Sequence, residues 1–185
     1  MTSIIDFSNC VQLSGRAYNG ANGKKIAISF DNAVWMLKFP PSAARQPNEL
    51  SYSNSCISEH IASTIANMLG VRAHETRLGV FSRNAKTRMV CACRDFTEGG
   101  KAFYDFCSVK NSVIDSDTNG TGTDLDDVLD TIDRQNFVDP IDLRNSFWDM
   151  FVVDALLGNF DRHNGNWGFI LNNITKEIIF SPIYD

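Results

Sequence analysis

The chain has 185 residues, 43% of them hydrophobic and 21% charged, with a formal net charge of −5. That is enough apolar material for one core or two small lobes. The acidic balance, with no long basic run, argues against direct nucleic-acid binding, because neutralising phosphates takes clustered Lys and Arg. No apolar run approaches the ~20 residues of a membrane span, so no membrane is expected as a partner. The N-terminal Met-Thr-Ser-Ile-Ile-Asp lacks the basic-then-apolar pattern of a signal peptide. A cytoplasmic location is expected, or export by a route that needs no such signal. Five cysteines (Cys10, Cys56, Cys91, Cys93, Cys107) are odd in number and irregularly spaced. Free thiols in a reducing compartment fit them better than a disulfide framework or a metal site.

The first punctuated segment, residues 14–23, holds Gly15, Gly20, Gly23 and two Asn-Gly pairs, and reads as a turn-rich loop. It leads into strands predicted over 25–30 and 34–39, a hairpin turning at Asp31-Asn32. A glycine loop ahead of a strand lets backbone N–H groups approach phosphates. An ordinary surface loop is the other reading, and the segment matches neither the P-loop nor G-x-G-x-x-G. In the second strand, alternation puts Trp35, Leu37 and Phe39 on one face and Val34, Met36 and Lys38 on the other. Lys38 then either snorkels to solvent or reaches a bound phosphate.

A helix is predicted over 52–69, ended by Gly70, with Ile57, Ile61, Ile65 and Met68 as its apolar stripe. Glu59 lies off that stripe beside Ala62 and Ala66, whose small side chains allow close approach by another element. It faces either solvent or Lys38. A second hairpin is predicted over 76–81 and 87–96, with Cys91 and Cys93 on one face, and residues 97–100 read as a linker. Composition changes there, dividing the chain into 1–98 and 99–185. Downstream, helices are predicted over 103–114, 125–135 and 141–157, the last started by Asp139-Pro140 as N-cap and N1 proline. A third hairpin, 167–171 and 177–180, precedes Ser-Pro-Ile-Tyr-Asp185.

Between the last helix and that hairpin lies Leu157-Gly-Asn-Phe-Asp-Arg-His-Asn-Gly-Asn-Trp-Gly168. Polar residues pinned between apolar elements are where a rigid scaffold displays its chemistry. Asp161 and Asn166 keep the spacing of base and metal-binding amide in the kinase catalytic loop H-R-D-x-x-x-x-N, although the local order is Asp-Arg-His. A metal-dependent phosphoesterase is a weaker reading. It needs several His and Asp ligands, and the chain has His60, His74 and His163, the first two without evident acidic partners.

Gly-rich loop, strand lysine, helix glutamate, linker, helical segment, Asp-x4-Asn, hairpin and final aspartate follow in the order of a bilobal protein kinase. Asn159-Phe-Asp-Arg-His-Asn-Gly-Asn166 followed by Pro182-Ile-Tyr-Asp185 resembles the HipA-like kinases. Their loop reads Asn-x-Asp-Arg-His-x-x-Asn, and a Tyr-Asp or Phe-Asp replaces Asp-Phe-Gly. Gly20-Ala-Asn-Gly-Lys-Lys-Ile, Met36-Leu-Lys-Phe-Pro-Pro41 and Trp148-Asp-Met-Phe-Val-Val-Asp154 are most similar to the small CtkA-type members, serine/threonine kinases without the extra N-terminal domain.

The resemblance implies an α+β, protein-kinase-like bilobal fold, with a sheet and one helix in the N-lobe and a helical C-lobe. It implies ATP and Mg²⁺ as cofactors, phosphoryl transfer to a protein Ser/Thr hydroxyl, self-phosphorylation, and a toxin or effector role. By position, Asp161 accepts the hydroxyl proton, and Asn166 and Asp185 hold the metal. Lys38 contacts the α/β-phosphates and pairs with Glu59. The segment with Gly20, Asn22, Gly23 and Lys24 covers the phosphates. Backbone groups of Cys93, Asp95 and Phe96 receive adenine. Arg162 and His163 brace the loop, and Asp154 either supports it or is a helix-end surface acid. HipA-like kinases continue past the metal aspartate into helices that complete the C-lobe. A further segment or a partner chain is therefore expected to complete it here. Without one, the alternative is a catalytically incomplete module that acts by nucleotide or protein binding.

Overall fold

The computed structural model describes residues 4–16, 18, 24–41, 54–114 and 118–185. It divides into two compact units, residues 1–65 with 74–98, and residues 66–73 with 99–185.

The first unit is built on a six-stranded sheet. Its strands are β1 (Ile5–Asp6), β2 (Val11–Gln12), β3 (Lys25–Phe30), β4 (Ala33–Lys38), β5 (Thr76–Arg83) and β6 (Lys86–Arg94), in the order β1-β5-β6-β4-β3-β2. All pairings are antiparallel except β1 on β5. The β3–β4 turn puts Asp31 and Asn32 at φ of 50° and 56°, the left-handed pair a two-residue hairpin needs and short polar side chains tolerate. Alternation along β4 buries Trp35 and Leu37, which join Phe39, Phe7, Ile28, Phe81 and Val90 in an aromatic core. Met36 therefore points to the other face, where it packs against Cys56, Cys91 and Cys93. Lys38 shares that face.

Helix α1 (Ser55–Met68) lies on this thiol-lined side. Its buried positions are Cys56, Ser63 and Ala66, while of the expected core stripe Ile57 and Ile65 are half-buried and Ile61 and Met68 are 50% and 81% exposed. The apolar periodicity was the wrong guide because the sheet face beneath α1 offers sulfur, a lysine and an imidazole. Small and polar side chains fit against those, and Glu59 sits among them.

In the second unit, β7 (Lys101–Asp105), β8 (Gly168–Asn172) and β9 (Ile178–Phe180) form an antiparallel sheet in that order. It packs with helices α2 (Phe106–Val113), α3 (Leu125–Arg134) and α4 (Pro140–Leu157). The helix expected from residue 103 starts at Phe106. Residues 103–105 pair instead with β8, and the Asp105 side chain caps α2 by accepting from the Ser108 N–H. Asp139 caps α4 with Pro140 behind it, and Gly158 at φ 69° ends it. The core gathers Phe106, Val109, Ile132, Leu143, Phe147, Met150, Trp167 and Phe169, with the Phe106 and Trp167 rings stacked at 3.9 Å. Among the described residues, no helix is long and apolar enough to cross a membrane.

Candidate active site

In the first unit, Lys38 at the end of β4 meets Glu59 on α1, with Nζ 2.8 Å from Oε2. The other carboxylate oxygen lies 2.9 Å from Nε2 of His74, which supplies the acidic partner that sequence reading denied this histidine. Burial alone would raise the Glu59 carboxyl. The His74 imidazole at close range and the Lys38 charge outweigh it and hold the pKa at about 2. Of the two sequence readings for Glu59, the turn toward Lys38 is the one adopted.

The expected hinge lies at the end of β6. Cys93 sits inside the ladder opposite Met36 on one side and Thr76 on the other, and the Asp95 N–H already donates to the Val34 carbonyl at 2.9 Å. The Asp95 N–H is therefore engaged within the sheet. The Asp95 side chain does something the sequence did not announce. It is 8% exposed and accepts from the Thr97 N–H at 2.8 Å, from the Tyr18 hydroxyl at 2.9 Å, and from the Arg16 guanidinium. Burial opposes ionisation of Asp95, but these donors and the Arg16 charge hold its pKa below the ordinary value. Burial first, then the hydrogen bond to Asp95 and its charge, push the Tyr18 phenol up. Lys24 lies over the Phe39 ring at 5.5 Å. Gly20, Asn22 and Gly23 fall outside the described residues.

In the second unit, Arg162 organises the loop. Its Nε and Nη2 grip the two Asp154 oxygens at 2.7 and 2.9 Å, the planar fork that guanidinium and carboxylate share. Its Nη1 donates to the Asn166 carbonyl at 2.9 Å and the Tyr184 carbonyl at 2.8 Å. One side chain thus ties the end of α4, the loop and the segment that carries Asp185. Asp154, 7% exposed, is the brace and not a surface acid. Asn166 acts as a staple: Nδ2 donates to the Asp161 carbonyl at 3.1 Å, while Oδ1 accepts from the His163 N–H at 3.1 Å and from Arg162 at 3.3 Å. Asp161 and Asp185 are exposed.

Two asparagines escaped the sequence reading. Asn159 donates to Asp154 at 2.9 Å and to the Asp185 carbonyl at 3.1 Å, and its Oδ1 accepts from the Asp161 N–H. Asn164, 3% exposed, donates to the carbonyls of Gly120 and Gly122, each at 2.8 Å. The signal was there in a loop with three asparagines, since each amide can satisfy backbone groups no ladder reaches. The exposed carboxylates of Asp161 and Asp185 are hard oxygen donors suited to magnesium. The Asn166 oxygen is turned inward and already holds two donors.

A sheet lysine paired with a helix glutamate, and a helix–loop–hairpin unit that carries Asp-x4-Asn, define an α+β fold of the protein-kinase type. The family model for the HipA-like C-terminal domain matches residues 17–185, and the chain belongs to that family. It is 46% identical over 181 residues to the serine/threonine-protein kinase CtkA of Helicobacter pylori (strain J99), a match spanning 98% of this chain and 54% of that protein. The crystal structure of a Helicobacter pylori proinflammatory kinase CtkA matches with a TM-score of 0.87 at 43% identity, over 98% of this chain and 59% of that one. The chain spans a little over half the length of these relatives.

Proposed function

We propose that the chain carries the nucleotide-binding and catalytic-loop part of an ATP-dependent serine/threonine protein kinase. The observation that carries this reading is the 2.8 Å Lys38–Glu59 pair. The pair supports the reading in which Lys38 brings charge to the nucleotide phosphates, as the sheet lysine of kinases does. Glu59 keeps Lys38 extended along the sheet through this pair. The exposed Asp161 carboxylate accepts the proton of a protein hydroxyl, on a substrate or on the chain's own surface. Asp185 would hold magnesium, and Asn166 would join it once its oxygen is freed from the long Arg162 contact. The ion, when bound, supplies neutralisation of charge on the phosphate oxygens. Phosphoryl transfer asks for positioning more than covalent help, and the Arg162–Asp154–Asn166–Asn159 network supplies that rigidity.

A cytoplasmic location is supported by the free state of all five cysteines. A toxin or effector role rests on family membership alone. The second reading, nucleotide binding without transfer, draws on the inward-turned Asn166 oxygen. Incorporation of labelled phosphate from ATP and magnesium decides between them. It should be measured for the chain alone and for the chain with its relatives' downstream segment, each with Asp161→Asn and Lys38→Met. The kinase reading expects label that both substitutions reduce at least ~100-fold, the loss of a positioned base or charge clamp. ATP bound with no transfer in any form establishes the second reading.

A further inference from the structure

Phosphoryl transfer uses Lys38 and Glu59 but gives no role to the other side chains crowded around them. Glu59 from α1, His74 from the segment before β5, and Cys93 from β6 place one ligand atom each within 4.8 Å of one another. Among the described residues, no other His, Cys, Asp and Glu group does this. The three come from separate elements and converge on a buried point: His74 is 4% and Cys93 1% exposed. The Cys91 Sγ is 3.9 Å from the Cys93 Sγ but does not join the three donors.

We propose that Glu59, His74 and Cys93 form a binding site for a thiophilic divalent cation of the zinc class, with a water completing it. The donor chemistry sets the class. Thiolate and imidazole favour zinc over magnesium, which takes oxygen ligands and keeps its waters. Binding requires Cys93 to lose its thiol proton to solvent. One carboxylate and one thiolate then balance the dication, and the Lys38 ammonium no longer has a compensating charge in Glu59. A filled site therefore loosens Lys38. The coupling to nucleotide rests on the kinase reading, but the site itself does not.

Cobalt(II) titration of the purified chain tests the site directly, through the near-ultraviolet thiolate-to-cobalt absorption and the tetrahedral visible bands. One cobalt per chain is expected, displaced by zinc. Both signals should be lost in Cys93→Ala and in His74→Gln and retained in Cys107→Ala, with circular dichroism melting confirming that each variant folds. Loss of a direct ligand should weaken zinc by more than the roughly 10–100-fold typical of an outer-sphere partner. Absence of the thiolate band in the unsubstituted chain overturns the proposal. So does a band that survives Cys93→Ala and His74→Gln at full stoichiometry. Nucleotide affinity of zinc-loaded, desalted chain should fall at least tenfold relative to metal-free chain. Unchanged affinity with zinc bound overturns the coupling. Because the cobalt bands need no nucleotide, failure of the kinase reading leaves the site test intact.

Discussion

Replacing Asp154 by Asn removes the charge under Arg162 while keeping the side chain's volume. Arg162 and Asp154 have side chains 15% and 9% exposed, so the orphaned guanidinium cannot simply turn to water. Two charge-assisted hydrogen bonds, at 2.7 and 2.9 Å, are worth ~1.5–3 kcal/mol each against solvent. Breaking a buried pair from one side costs ~3–5 kcal/mol. Arg162 keeps the Asn166 and Tyr184 carbonyls, and the new amide can still accept one bond. The lower end, ~3 kcal/mol, is therefore expected. For a chain of this size that lowers the melting midpoint by roughly 6–12 °C. The assay is urea unfolding followed by Trp148 and Trp167 fluorescence in a background where Trp35 is replaced by Phe. Asp149→Asn, an exposed change on the same helix, should stay within ~0.5 kcal/mol. If Asp154→Asn matches Asp149→Asn, the loop is not organised by this pair and the reasoning fails.

Glu59 sets an acid limit. Its pKa is lowered from 4.5 to about 2 in the folded chain. The stabilisation is therefore full above pH 4.5 and disappears as pH falls toward 2, amounting to at most ~3 kcal/mol. Glu59→Gln should flatten stability against pH across that window, measured by urea midpoints at stepped pH. An unchanged slope would mean that other groups carry the acid sensitivity. At Gly168, an added Cβ would fall 2.1 Å from the Tyr104 carbonyl oxygen on the paired strand. Gly168→Ala should force β7 and β8 apart, costing more than ~2 kcal/mol and disturbing near-ultraviolet dichroism. Asn164→Ala leaves the Gly120 and Gly122 carbonyls without its amide, a loss of ~1–3 kcal/mol. Faster exchange of the amide protons in residues 118–123 should accompany it.

What the sequence made legible is chemistry fixed over a few residues. The β3–β4 hairpin follows from alternation around Asp31-Asn32, α4 from its Asp139-Pro140 start and Gly158 stop, and the loop from Asp161-Arg-His and its asparagines. Each signal is contained within a turn or two of chain, so no distant contact has to be known. The face of α1 is different, because burial there is decided by whatever the sheet presents, and β4 and β6 present Lys38, Cys91 and Cys93. A large apolar stripe cannot cover an ion pair. Ile61 and Met68 turn to solvent, Ile57 and Ile65 stay half-buried, and the small-residue side carries Glu59 inward. Two substitutions separate the rules. If periodicity governed α1, Ile61→Gln would remove a core residue at ~3 kcal/mol or more, and Ser63→Leu would be harmless. With Ile61 50% and Ser63 6% exposed, the order should reverse: Ile61→Gln within ~0.5 kcal/mol, and Ser63→Leu costing ~1–3 kcal/mol through overpacking. Ser63→Leu should also weaken nucleotide binding, since a displaced α1 carries Glu59 away from Lys38, whereas Ile61→Gln should leave it unchanged. A large stability loss on Ile61→Gln alone would return α1 to its apolar face and dissolve the Lys38–Glu59 pair as the organising contact of this unit.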